Sequence, residues 1–265
     1  MANYDAFLAA LDGDERILVR QTIDKAALAE KTSRLTATKF LTPAEAALVR
    51  RFCQFAGIRA VFDGGDKEAE RCVALFPPSF YDGIDEEYLL EDSPVAVLRA
   101  AVKGDTALTH RDYLGALMGA GIQREAVGDI DVHAHEAYLC CLAELVPYLT
   151  QNLTQVGRAP ITLAEIARSE RPPRTPPDGE TMQATVSSLR LDALVAAGYH
   201  LSREEAKGLI EQGLCSVDHL TAVKPDSAVA EGVLISVRGK GRMKLCEVRG
   251  ETRKGRIALT LFRYR

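Results

Sequence analysis

Eight cations in the last third of the chain have the types and spacing to hold a polyanion: Arg190, Arg203, Lys207, Lys224, Arg238, Lys240, Arg242 and Lys244. Guanidinium forks match phosphate oxygens two bonds at a time, and ammonium groups add point charge. Arg203 and Lys207 stand one helical turn apart, so a helix would carry them on one face. Arg238-Gly239-Lys240-Gly241-Arg242 alternates cations with glycine, whose freedom lets a backbone approach a phosphate chain closely. A further turn adds Arg249, Arg253, Lys254 and Arg256 against Glu251. Neutralising several phosphates gives an affinity that ignores base sequence and falls with salt, by about 0.7 in log K per phosphate for single strands.

Other groups carry less chemistry. His110-Arg111-Asp112 sets a histidine beside a carboxylate, the parts of a general base. Adjacent helix positions do not face each other, however, and no nucleophile, phosphate loop or second carboxylate accompanies them. Thr109 or His110 as a helix cap, with Arg111 bonding to the Gly128-Asp129-Ile130 turn, is the reading these residues support. His133 and His135 would share one face of a strand, but no third metal ligand is suggested. Cys53, Cys72, Cys140, Cys141, Cys215 and Cys246 form no Cys-x-x-Cys pair and read as buried thiols. Asp63-Gly64-Gly65-Asp66 is too isolated to serve as a cofactor loop. No catalytic residue, metal, cofactor or small-molecule substrate is therefore expected.

The net charge of −4 hides a polarity. Residues 182–265 hold 14 Lys or Arg and 9 Asp or Glu, whereas residues 1–181 hold 19 and 28. A basic third on an acidic chain suggests a polyanion partner for that third. No apolar run approaches the ~20 residues of a membrane span, and the acidic start, Met1 to Asp14, is unlike a signal peptide. A cytoplasmic location without a membrane partner is expected.

The elements that must position these cations follow from pattern. Residues 169–181 are proline-rich and carry no large aliphatic or aromatic side chain before Thr181, so an extended, semi-rigid linker is expected there. Pro77-Pro78 and the acidic run Asp82 to Asp92 suggest a second boundary, giving an N-terminal α/β domain over residues 1–80. Within it, Glu15 to Leu28 and Ala44 to Ala56 have helical spacing, the second capped by Thr42 with Pro43 and Glu45 behind it. Ile58 to Phe62 and Arg71 to Phe76 read as strands. Over residues 81–168 the succession is strand Val95 to Val102, helix His110 to Ala120, strands Gly128 to Val132 and Ala137 to Cys141, helix Leu142 to Leu153, and strand Pro160 to Ala167. That β-α-β-β-α-β order is the ferredoxin-like, RNA-recognition-like arrangement, although adjacent base-stacking aromatics are missing. Over residues 182–265, a strand from Gln183 leads into a helix through Leu191, Leu194 and Val195 that Gly198 stops. Ser202-Arg203-Glu204-Glu205 opens a second helix, which Gly213 ends, and strand-like segments follow at Cys215, Val233, Lys244 and Ile257. The fold class is α+β.

Leu189-Arg190-Leu191-Asp192, Ser202-Arg203, Ala206-Lys207, Leu209-Ile210 and Gly213 resemble the RNA-binding domain first described in the small-subunit ribosomal protein S-four, the αL motif. Thr109 to Met118, Gly121 to Glu125 and Val127 to Ile130 look like the middle domain of YlmH-type proteins. Gly64-Gly65 with Glu68 to Arg71 is similar to their N-terminal domain, and Ser236 to Arg242 to their terminal turn. The resemblance implies a bacterial, noncatalytic protein that binds structured rRNA or tRNA on the large ribosomal subunit, in the rescue of stalled nascent chains. An older description of the family links it to cell division. Two departures stand out: Asp218 replaces the usual asparagine, where it could repel phosphate, and Gly232-Val233 replaces a glycine-acid pair. The rival class is an RNA-modifying enzyme or its accessory subunit, because the same RNA-binding motif is attached to pseudouridine synthases and methyltransferases.

Overall fold

The computed structural model describes residues 4–174, 177–252 and 255–264. Two compact units divide the chain, residues 1–175 and 176–265. The first contains α1 (Asp5–Ala9), α2 (Gly13–Thr32), β1 (Thr36–Ala37), α3 (Pro43–Ala56), β2 (Val61–Asp63), β3 (Val73–Phe76) and α4 (Glu86–Glu91). It continues with β4 (Val95–Val102), α5 (His110–Gly119), β5 (Val127–Val132), β6 (Glu136–Leu142), α6 (Val146–Asn152), β7 (Gln155–Val156) and β8 (Ala159–Ile166).

Local signals start these helices. Thr42 and Glu45 form the reciprocal capping box ahead of α3, and Asp12 with Glu15 does the same for α2. Thr109 caps α5 with Asp112 as its return partner, so the cap reading of that segment holds. Arg111 does not reach Gly128-Asp129-Ile130; it is exposed, and those residues lie in β5 beside an irregularity, not in a turn. His133 follows the end of β5 and lies 3.1 Å from Asp131.

Two sheets organise the first unit. The smaller runs β1-β3-β2 and the larger β5-β6-β4-β8-β7, with every neighbouring pair antiparallel. In β3 the side chains alternate between two cores. Val73 and Leu75 pack with Phe40, Val97 and Leu139, whereas Ala74 and Phe76 pack with Val19, Val49 and Phe52. The strand is buried on both faces, so residues on either side of Pro77-Pro78 share a core. That shared strand is why residues 1–80 do not stand apart as a separate compact unit.

The expected linker is largely structured. Arg168, Arg171 and Arg174 reach carboxylates of the first unit, and β9 begins at Gly179. Proline keeps the segment extended, but ion pairs fix it. Thr175 and Pro176 lie outside the described residues.

The second unit contains β9 (Gly179–Val186), α7 (Leu191–Tyr199), α8 (Arg203–Glu211), β10 (Cys215–Val217), β11 (Leu220–Ala222), β12 (Leu234–Val237), β13 (Gly241–Glu251) and β14 (Ile257–Tyr264). Its antiparallel sheet runs β11-β10-β12-β13-β14-β9. The two helices bury Leu191, Leu194, Val195, Ala206 and Ile210 against Ile235, Met243, Leu245 and Leu261. Gly198 does not stop α7, which ends at His200 in the left-handed region. Gly198 is a close-packing residue instead, since a Cβ there would fall 2.1 Å from Met243 Sδ.

Five of the six cysteines are buried, as expected, and burial pushes the Cys140 thiol up to about 11 and Cys141 to about 12. Cys246 is exposed on β13. Among the described residues no helix is long and apolar enough to cross a membrane, and no cluster of three or more His, Cys, Asp or Glu could hold a metal.

Candidate nucleic-acid interface

Arg190 is the N-cap of α7 but gives no side-chain cap. Carbonyls of a loop later in the chain do that work: Leu191 N–H donates to Ser227 O and Asp192 N–H to Pro225 O, each at 2.9 Å. The same loop carries exposed Lys224, so this cation is tied by its backbone to the start of α7.

Asp192, in the first turn of α7, is buried at 5 % exposure. Arg190 donates to it from Nε and Nη2 at 3.2 and 3.1 Å, and Arg203, the first residue of α8, from Nη2 at 2.9 Å to both oxygens. Burial works to raise the Asp192 pKa, but the hydrogen bonds and charges of the two arginines outweigh it and hold the carboxyl below its ordinary value. One carboxylate thus gathers two guanidiniums while both remain about half exposed. A guanidinium has five N–H donors, and Asp192 uses two of Arg190 and one of Arg203.

Lys207 follows one turn along α8 and lies 3.7 Å from Glu211, an exposed pair worth about 0.3–0.5 kcal/mol. Ser202 and Glu205 cap this helix, and the bonds from Ser202 hold the Glu205 carboxyl below its ordinary value.

The glycine-containing turn joins β12 to β13. Gly239 and Gly241 have φ of +77° and +99°, a region favourable to glycine, so their positions in the turn are conformational requirements. Arg238 N–H donates to Leu214 O, and Tyr199 hydroxyl donates to Gly241 O, which moors the turn to the segments after α8 and at the end of α7. Arg238 and Lys240 are exposed on it; Lys244 is exposed on β13; Arg242 lies over the Tyr264 ring at 5.0 Å. These four are positioned by the hairpin, not by Asp192. Arg249 pairs with Glu247, and Arg256 donates to Thr185 O; Arg253 and Lys254 lie outside the described residues.

Asp218 does not act as a free charge beside this surface. With His219 it forms the β10–β11 turn at positive φ, and its Oδ1 accepts from Leu234 N–H at 2.9 Å.

Sequence reading missed a second charged centre, in the first unit. Asp63 accepts two bonds from Arg168 at 2.9 and 2.7 Å and is 4 % exposed. Asp66 accepts from Arg171 and Arg174, and Arg174 also reaches Asp129 at 2.8 Å. Burial opposes the charge on Arg174, but Asp66 and Asp129 drive its pKa upward. Gly64 makes the close fit possible, because a Cβ would fall 2.2 Å from Ala69 Cβ and 2.5 Å from Arg71 O. The visible signal is spacing: arginines three apart opposite aspartates three apart.

The geometry thus places an arginine-rich surface on the second unit and a partly buried arginine–aspartate centre in the first. Residues 14–78 match the family domain described as "YlmH, N-terminal", and residues 101–170 match the one described as "Putative RNA-binding domain in YlmH". The chain is 32% identical over 251 residues to "Ribosome-associated protein quality control protein P2" of Bacillus subtilis (strain 168), covering 94% of this chain and 95% of that one. This chain belongs to the YlmH family. Its fold is also similar to "Cell division protein ylmH from Streptococcus pneumoniae", with TM-score 0.52, 17% identity, and coverage of 61% of this chain and 96% of the other.

Proposed function

We propose that this chain is a noncatalytic, cytoplasmic RNA-binding protein that grips structured rRNA or tRNA on the large ribosomal subunit during rescue or quality control of stalled ribosomes. The observation that carries the reading is the arginine pair on Asp192: Arg190 and Arg203 are held on one carboxylate, half-exposed and with spare donors, which suits phosphate oxygens. Lys207, Lys224 and the Arg238 to Lys244 hairpin extend the positive surface. The ribosome-associated relative and the RNA-binding description of residues 101–170 support the same partner.

The fold reading accompanies it. The order β5-β6-β4-β8 around two helices supports reading residues 81–168 as a ferredoxin-like domain, and α7–α8 packed on their sheet supports reading residues 182–265 as an S-four-like one. Within the two compact units, the sequence domains are taken as 1–80 and 81–168, which share a core in the first, and 182–265 in the second.

Replacing Arg203 and Lys207 together with alanine should release the protein from large ribosomal subunits in cosedimentation and flatten its salt dependence. Unchanged cosedimentation sinks the site. If substoichiometric protein alters tRNA or rRNA nucleosides, the noncatalytic reading fails in favour of an RNA-modifying enzyme.

A further inference from the structure

The first unit contains a cleft of about 1000 Å³ lined by Lys25, Lys39, Arg71 and Arg124 together with an apolar wall that includes Leu18 and Pro94. Arg71 and Arg124 come from two motifs that the C-terminal grip does not use, Glu68 to Arg71 and Gly121 to Glu125. The fold sets them against one main-chain oxygen. Arg71 donates from Nε to Val127 O at 3.2 Å and from Nη2 to Phe40 O at 3.1 Å, and Arg124 donates from Nη1 to Val127 O at 2.6 Å and Gly128 O at 3.2 Å.

Two half-buried guanidiniums on one carbonyl repel each other, and carbonyls cancel no charge. Among the described residues neither arginine forms an ion pair. Burial lowers both pKa values, and the charge of Arg71 lowers Arg124 further, against the opposing pull of Glu45, Asp129 and Glu125 on Arg71 and of Asp129 on Arg124. Carboxylates in the cleft are engaged elsewhere or exposed: Glu45 closes the capping box on Thr42, Glu125 pairs with Lys39 at 3.4 Å, and Glu144 is exposed. Two adjacent guanidiniums that are partly desolvated, and on which Glu45, Asp129 and Glu125 act only from beyond ion-pair distance, leave a place for an anion from outside.

We propose that this cleft binds the phosphate of a nucleotide, with Arg71 and Arg124 as the phosphate fork and Lys39 as an auxiliary cation. A bare oxyanion would fill little of the volume, and the apolar wall suits the flat face of a base. The phosphate can come from a free mononucleotide or from a nucleotide within an RNA strand; both present the same oxygens. The site belongs to the first unit and the C-terminal cations to the second.

The test uses the full chain with inorganic phosphate, each of the four ribonucleoside monophosphates and a short single-stranded RNA. Binding is read by calorimetry and by the rise in thermal midpoint. Arg124→Met, and a second cleft variant joining Lys25→Ala with Lys39→Ala, are compared with Arg203→Ala/Lys207→Ala. At least about a tenfold loss of mononucleotide or RNA binding is expected in Arg124→Met, a smaller loss in the lysine pair, and no change in mononucleotide binding in the C-terminal variant. Should Arg124→Met fail to fold, the lysine pair decides alone. Mononucleotide binding identifies a free ligand as the source, and RNA binding that falls in the cleft variants while no mononucleotide binds identifies a strand. The proposal is overturned if none of these probes binds the wild-type chain, or if they bind the cleft variants as tightly as wild type.

Discussion

Arg203 Nη2 lies 2.9 Å from both carboxylate oxygens of Asp192, across the junction of two helices. Asp192 therefore acts as the pivot of the positive surface as well as a joint between α7 and α8. Removing its charge should leave two neighbouring guanidiniums without their common anchor. We expect Asp192→Asn to destabilise the protein by about 1–2 kcal/mol, below the roughly 3–5 typical of a broken buried pair because both arginines stay half in water. RNA affinity should fall about two- to fivefold with an unchanged salt slope, because no cation is lost. Urea unfolding and filter binding across a salt series check both parts; a reduced slope would show that the substituted amide had displaced an arginine from the RNA.

The same carboxylate gives a pH dependence. Its pKa is lower folded than unfolded, so its contribution is fully present above the unfolded value of about 3.9 and is lost as pH falls through the depressed folded value. Wild type should thus lose its advantage over Asp192→Asn only in acid. Paired urea titrations should give a constant gap above about pH 5 that closes below about pH 4. A gap that persists unchanged at the acid end contradicts the assignment.

In the first unit, Asp66 is the shared acceptor of Arg171 and Arg174. Asp66→Ala removes the acceptor these guanidiniums share; Arg174 keeps Asp129 at 2.8 Å, but Arg171, 3 % exposed, keeps only Asp131 at 3.8 Å, so the change should cost about 3 kcal/mol. Arg171→Met should cost less, about 1 kcal/mol, because Arg174 still satisfies Asp66 while Nε and Nη2 of Arg171, buried without a hydrogen-bond partner, disappear. Limited trypsin digestion gives a second readout. Cleavage after Arg174 should accelerate in Asp66→Ala, where the strap is released, before the rest of the chain opens.

Local chemistry was legible in the sequence and distant pairing was not. Thr42 with Glu45 and Ser202 with Glu205 announce their helices because both partners of each box lie within one turn. The succession of elements through Val95 to Ile166 was readable for the same reason, since alternation and spacing are properties of short windows. Arg171 and Arg174 read as part of a polar linker, and Arg168 as the end of the domain before it, because their acceptors Asp63 and Asp66 lie 105 or more residues upstream. At the candidate interface, Arg190 and Asp192 are neighbours in sequence, but Arg203 joins them only after α7 and α8 pack. The Arg71–Arg124 pair is hidden more deeply, because it depends on a carbonyl of a third segment. Gly198 was misread for a different reason: glycine both ends helices and admits close contacts, and only the position of Met243 distinguishes the two.

That distinction can be measured. At an exposed helix position Gly→Ala would stabilise by about 1 kcal/mol, since alanine is the better helix former. At Gly198 the new Cβ would fall 2.1 Å from Met243 Sδ and 3.0 Å from Met243 Cε, and Met243 is fully buried, so its side chain has no solvent to move into. Overpacking of this kind costs about 1–3 kcal/mol, so Gly198→Ala should be net destabilising by up to about 2 kcal/mol. Met243→Val shortens the side chain in the way of the methyl and should by itself be destabilising through the space it leaves. Combined, the two changes should compensate, with a favourable coupling of about 1 kcal/mol in a double-mutant cycle. Additive losses would mean that Gly198 serves some need other than the approach of Met243.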